Sequence, residues 1–177
     1  RGLGDVYKRQ AEPTPFVISF LGDCTLTSSH HTSHFEKLVG DDYAYPFSNV
    51  AELLLADDLT LANLECSFSP RRLESDSEYA FCGDPQYVQS LVQGGVEAVT
   101  LSNNHTRDFG DAGLRDTEAA LAEYGVAGIP GNQGQCFELR HDNGDTLRLG
   151  AYVHPFNGSA KQMEDGCKQL RDEGADI

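Results

Sequence analysis

Basic residues are scarce in this sequence. Only 13 lysines and arginines stand against 28 aspartates and glutamates, a formal net charge of -15 over 177 residues. Nucleic acid binding draws on clustered cations that displace counterions from phosphates, and the cations here are scattered, so nucleic acid is excluded as a partner. No uninterrupted apolar run reaches the ~18 residues of a membrane span, and the first residues lack the apolar core of a signal peptide; as given, the chain reads as soluble. The five cysteines, Cys24, Cys66, Cys82, Cys136 and Cys167, form no CxxC and no zinc-ribbon spacing. Thiol redox chemistry therefore ranks last among the function classes. Cys24 and Cys66 each follow a carboxylate directly, which would allow them to come close, but they read as small buried thiols.

What is present fits one domain with a real core, given the length and a hydrophobic content of 39%. RGLGDVYKRQ shares no pattern with the rest and precedes AEPTP, a proline-punctuated linker. Residues 1–10 read as a foreign, library-derived segment and 11–177 as a single incomplete domain.

Within that domain, apolar runs of strand character alternate with segments of helical period. PFVISFLGD ends on Gly22-Asp23, PFSNVAELLLADD places Phe47, Val50, Leu53 and Leu54 at helical spacing, and LTLANLE ends on Glu65. Asp84 and Pro85 open a helix with Val88, Leu91 and Val92 on one face, which Gly94 and Gly95 stop. EAVTL then runs into SNNH. The next helix carries Leu114, Thr117, Leu121 and Tyr124 on one stripe, and VAGIPG makes a fourth strand. Two β-rich runs flank Asn143-Gly144, an antiparallel hairpin signal. Ser159 with Gln162 forms a capping box for a last helix whose Met163, Cys167 and Leu170 share a face, and Ala175–Ile177 begins another strand. Residues 67–81 form the one long loop. Such alternation predicts an α/β fold with a mostly parallel sheet, in which the functional crevice lies at the carboxyl ends of the strands.

Asp23, Glu65, Asn104 and His105 all stand at those ends. Two carboxylates, an amide oxygen and an imidazole make a hard donor set, suited to Mn, Mg, Fe or Zn, and a carboxylate can bridge two such ions. Water activated between them attacks an ester or amide centre, and His105 stands where it would protonate the leaving group. Asn103 reads as a turn former.

These residues carry a family resemblance. Gly22-Asp23, DLTLANLE (58–65), YAFCGDPQYVQSLVQGGVEAV and above all NNHTRDFGDAGLRDT (103–117) resemble the capsule synthesis proteins of the CapA type, a branch of the calcineurin-like metallophosphatases associated with poly-γ-glutamate. The resemblance runs from about Phe16 to the last residue. It implies a metallophosphatase-like sandwich of mostly parallel sheets with outer helices, and a metal-dependent phosphoesterase-like site at the cell surface. Asp23 would be a terminal metal ligand, Glu65 the bridging carboxylate, Asn104 the amide ligand and His105 the acid. Asp108 and Gly110 match the motif as loop architecture. Thr25 stands where many metallophosphatases place a histidine, Glu65 is longer than the usual aspartate, and the family's histidine-bearing HWG segment lies beyond the truncated ADI strand.

The implied substrates are an anionic polymer such as poly-γ-glutamate or a phosphoester, with membrane synthase subunits as partners. The alternative is a non-catalytic module on the same fold that binds the polymer or the synthase. His30, His31 and His34, His154, and the pair Arg71-Arg72 read as loop and surface residues. A polyanion would be repelled by so acidic a surface unless metal ions or a local basic patch offset it.

Overall fold

Strand β2 (Leu59–Leu64) sets the layering, because its successive side chains face opposite ways. Leu59 and Leu61 join one apolar cluster while Ala62 and Leu64 join another. A strand buried on both faces must lie inside a sheet. The computed structural model describes residues 14–29, 32–71, 74–75, 77–155 and 157–177; the expected foreign segment 1–10 lies outside them, as do His30, His31 and Arg72.

A four-stranded parallel sheet runs β1 (Ile18–Cys24), β2, β5 (Ala98–Leu101), β6 (Ala127–Pro130). Between β2 and β5 the chain makes the two-residue parallel pair β3 (Ser67–Phe68) and β4 (Cys82–Gly83). One face of the sheet is covered by helices α3 (Val88–Gly94) and α4 (Gly110–Tyr124), whose Val88, Leu91, Ala120 and Leu121 pack with Leu64, Val99 and Leu101. Val88 and Leu91 are fully enclosed, and such burial contributes about 1.5–3 kcal/mol per side chain. The other face is covered by the antiparallel hairpin of β7 (Gln133–Arg140) and β8 (Thr146–Val153), through Leu139, Leu149 and Val153. The fold is therefore α/β, with a mostly parallel central sheet between helices and a β layer, as expected.

Several local expectations are refined. The segment around Phe47 is not one helix: it splits into a 3-10 turn at Tyr45–Phe47 and the single-turn α2 (Ala51–Leu54), after the six-residue α1 (His34–Val39). Phe47 and Leu54 are buried, but Val50 and Leu53 are exposed, so the helical spacing overstated the stripe. Val92 likewise faces solvent. The hairpin loop spans 141–145, longer than a two-residue turn, and is closed by His141 N–H donating to the Asp145 carbonyl at 2.9 Å. Helix α5 (Ala160–Asp172) has the capping box, but only Leu170 of its predicted face is buried; Met163 and Cys167 line an open cavity of about 300 Å³ against Tyr152. Ala175–Ile177 is not a regular strand, yet Asp176 N–H and the Ile177 carbonyl bond the β8 backbone at Arg148 and Gly150.

A contact with no strong sequence signal fastens the hairpin to the sheet. His141 Nε2 lies 2.8 Å from Asp58 Oδ1, the other Asp58 oxygen accepts from Val17 N–H at 2.7 Å, and Phe16 stacks on the imidazole at 4.0 Å. Asp58 immediately precedes β2, so this clamp holds the end of the sheet away from the carboxyl rim.

Candidate functional site

At the carboxyl rim the pairing β1–β2 sets Asp23 opposite Asn63. The register slips between Phe20 and Asp23, giving β1 an extra residue there, and a bulge of this kind re-aims the side chains that follow it. Asp23 ends up exposed and Glu65 half-buried. Asn63 follows Leu59 and Leu61 on the hairpin face of β2 and lies between the two carboxylates. Its amide nitrogen donates to Asp23 Oδ1 at 2.8 Å and, more weakly, to Glu65 Oε1 at 3.4 Å. Its oxygen accepts from the Thr100 hydroxyl and from the Asn103 amide, each at 3.0 Å. Two donors on that oxygen fix the amide's orientation, so the nitrogen must face the carboxylates. Sequence reasoning did not single out Asn63 as a candidate site residue, although its place inside the DLxxxNLE motif, two residues before Glu65, was the available signal.

Asn103 shapes the turn, as expected, and does more. Its side-chain nitrogen also donates to the Leu64 carbonyl at 2.8 Å, and its oxygen accepts from the His105 N–H at 2.9 Å. It therefore ties the end of β5 to the end of β2. Asn104 is exposed, and its side chain makes no hydrogen bond among the described residues. His105 is held by Asp108, whose Oδ2 lies 2.9 Å from His105 Nδ1, and by the Phe81 ring, edge-on at 4.9 Å. Asp108 Oδ2 also accepts from Phe81 N–H at 3.2 Å. Asp108 thus contacts the His105 ring while its own N–H closes the loop expected of it.

The rest of the signature fastens the excursion between β2 and β5. Thr117 is buried on α4; its hydroxyl accepts from Phe68 N–H at 2.9 Å and donates to the Gly113 carbonyl at 2.8 Å. Asp116 accepts from the Ser69 hydroxyl at 2.5 Å and takes the Arg71 guanidinium on both oxygens. The hydroxyl and the guanidinium hold the Asp116 carboxyl below the usual carboxylate range. Arg71 is thereby committed to an internal partner. His154 is a loop residue whose Nε2 meets the Ser159 carbonyl at the start of α5. Cys24, Cys66 and Cys82 are free thiols. Burial pushes Cys24 up to about 12 and Cys82 up to about 11, and raises Cys66 further, so none is a nucleophile at neutral pH.

The donor set decides what cation the rim fits. Asp23 and Glu65 both accept from the Asn63 amide nitrogen, and both offer hard oxygens. Asn104 stands exposed at the neighbouring strand end, with no contact to either carboxylate among the described residues, and its amide oxygen is hard as well. This set fits a hard divalent ion in kind, while no group of three His, Cys, Asp or Glu converges among the described residues.

On the hairpin face of the sheet, β8 leaves a mostly apolar cavity of about 330 Å³ whose lining includes Phe20, Leu61, Leu149 and Tyr152 and whose polar wall is Asn63 and Thr100.

Residues 17–175 match the family model described as the bacterial capsule synthesis protein PGA_cap. Among curated proteins, an uncharacterized protein of Sinorhizobium fredii is 28% identical over 137 residues, covering 71% of this chain and 27% of its own length. A probable polyglutamine synthesis accessory protein of Mycobacterium tuberculosis is 32% identical over 96 residues, 50% of this chain and 24% of that protein. The chain thus spans about a quarter of the length of these relatives.

Proposed function

This chain belongs to the bacterial capsule synthesis protein family PGA_cap, and on that premise we propose that it is a metal-dependent, phosphoesterase-like hydrolase serving capsule or poly-γ-glutamate synthesis at the cell surface. The observation that carries the proposal is the shared hold of Asn63 on Asp23 and Glu65, joined through Asn103 to the backbone of His105. Two carboxylates brought to one neutral amide donor repel each other, and a cation held by their remaining oxygens would offset that repulsion.

Asp23, Glu65 and Asn104 would hold the ion or ions, of Mn, Mg, Fe or Zn type. A divalent cation bound there supplies Lewis acidity toward a phosphoryl or acyl oxygen and eases ionisation of water. The chain's own residues do the rest. Asn63 orients the two carboxylates, Asn103 joins the strand ends on which the ligands sit, and His105 delivers a proton to the leaving-group oxygen. Arg71 is taken up by Asp116, so a cation held at the rim would be what offsets the chain's charge of -15 toward an anionic polymer. Membrane synthase subunits are the partners of this reading, in line with a relative named as an accessory protein.

The second reading is a non-catalytic module that binds polymer or synthase. Two features favour it: Asn63 already satisfies the carboxylates without a cation, and Thr25 stands where a histidine ligand is expected. The test is hydrolysis of an aryl phosphate and of poly-γ-glutamate by the protein with Mn²⁺, wild type against His105→Ala. Turnover lost in the variant, with Mn²⁺ still bound, supports the hydrolase. Metal-independent polymer binding with no turnover in the wild type favours the module.

A further inference from the structure

We propose that the cleft between α5 and the start of β7 binds an extended chain carrying uncharged carboxamide groups. The cleft shares no lining residue with Asp23, Glu65 or the turn 103–108, so the inference stands apart from the hydrolase reading.

The cleft has a volume of about 490 Å³, and its polar wall is Asn132, Gln133, Gln162 and Gln169, with Tyr152 and Asp165. Ligand sites span roughly 300–1,000 Å³. A primary amide is donor and acceptor at once, so four of them complement other amides group for group. Asn132 holds a left-handed backbone at φ 63°, the one non-glycine residue to do so among the described residues. Glycine takes that conformation most freely, and what asparagine adds there is a side-chain amide. Its oxygen accepts from the Tyr152 hydroxyl at 3.0 Å and from the Gln162 amide at 3.4 Å. Its NH₂ is left as a donor without a partner among the described residues. Gln169 is the converse: its NH₂ donates to Glu173 at 2.8 Å, and its oxygen is left to accept.

Two other ligand classes fit these residues poorly. Among the described residues no lysine or arginine lines the cleft, and its one charged side chain, Asp165, paired from outside with Lys161 at 3.0 Å, does nothing to hold a carboxylate or phosphate. A saccharide draws on an open aromatic face, but α5 lies directly on the Tyr152 ring: a Cβ on Gly166 would come within 2.1 Å of it. The extended form follows from β7. Its only strand partner among the described residues is β8, and Gln133 and Gly134, which open it, are exposed in the cleft. A chain laid along that edge adds main-chain bonds to those of the side-chain amides. A Cβ on Gly134 would meet the Leu170 methyls at 2.8 Å, so helix and hairpin are in close contact and the walls are fixed.

The test follows the protein's side-chain amides by ¹⁵N–¹H spectra during titration with the capped tetrapeptide of glutamine, and separately with the capped tetrapeptide of glutamate and with cellobiose. Saturable shifts of the Asn132, Gln162 and Gln169 NH₂ signals are expected with the glutamine peptide alone. Asn132→Gly suits the left-handed backbone and is expected to fold, and Gln169→Ala alters only an exposed position of α5. Each is expected to raise Kd by about tenfold, the loss of one hydrogen-bonding group. No saturable shift with the glutamine peptide, equal shifts with the glutamate peptide or cellobiose, or an unchanged Kd in Gln169→Ala overturns the proposal. Binding is read without metal or turnover, so full activity in His105→Ala would remove the hydrolase reading and leave this result standing.

Discussion

The Asn63 amide donates to Asp23 across the β1–β2 pairing at 2.8 Å, while its oxygen is held by Thr100 and Asn103. One side chain thereby joins three strand ends and places a partial positive charge between the two candidate ligand carboxylates. Replacing it with leucine leaves those partners without their bonds. Asn63→Leu is expected to lose about 1–3 kcal/mol of stability, read as a lower urea midpoint. Asn63→Asp adds a third carboxylate and is expected to be destabilised in chelator but to regain its midpoint as Mn²⁺ is added. Insensitivity of Asn63→Asp to Mn²⁺ would count against a cation at this rim.

Thr117 tests the scaffold. Its hydroxyl is buried between Phe68 N–H and the Gly113 carbonyl. Thr117→Val keeps the shape and leaves the Phe68 N–H without an acceptor, at a cost of about 1–3 kcal/mol. Equilibrium unfolding checks this, and a change below about 0.5 kcal/mol would refute it.

Gly95 tests the α3 stop. It sits at φ 76°, and a Cβ there would approach the Leu55 backbone nitrogen to 2.9 Å. Alanine would be strained by conformation and by contact with main chain that cannot swing away, so Gly95→Ala is expected to destabilise by about 1–3 kcal/mol. Thermal melting reads the effect.

Much of this arrangement was legible in the sequence, and the reasons are local. Alternation in LTLANL, the glycines after α3 and the motif 103–117 each encode structure over a few residues. The Asn63 hub was not legible, because its partners Asp23, Thr100 and Asn103 lie about 40 positions away in the chain and meet only through the β1–β2 and β2–β5 pairings. The stripe at Val50 and Leu53 misled because helical spacing does not say that a helix continues; this one lasts a single turn. Asp108 was assigned to loop architecture because sequence cannot show that its i−3 neighbour His105 turns its ring back onto it.

Acid should weaken the fold in a definable way. Asp116 is held below its ordinary value of 3.8 by the Ser69 hydroxyl and Arg71. The unfolded chain then binds more protons between the two pKa values, so the stabilisation is full above 3.8 and is lost as pH falls through the lower folded value. Glu36 acts in the same sense: burial pushes it up, but hydrogen bonds from Ser28 and Thr27 outweigh that and leave it below 4.5. Glu97, raised by burial, opposes them, since stability is regained as pH falls through its elevated value. Asp116→Asn is expected to flatten the acid limb of a stability-against-pH curve below 3.8. An acid limb as steep as that of the wild type would contradict this.

Thiol reactivity gives an independent check on the core. At pH 8, iodoacetamide is expected to modify the exposed Cys167 well before Cys24, Cys66 or Cys82, whose thiols burial keeps protonated. Mass spectrometry of the native protein reads the order, and early modification of Cys66 would mean that the helix-side core is open.

A divalent cation site formed by Asp23 and Glu65 is open to calorimetric titration with Mn²⁺. Saturable binding is expected of the wild type, and its loss in the double variant Asp23→Asn, Glu65→Gln. An identical isotherm in both proteins, or no binding by the wild type, would contradict it.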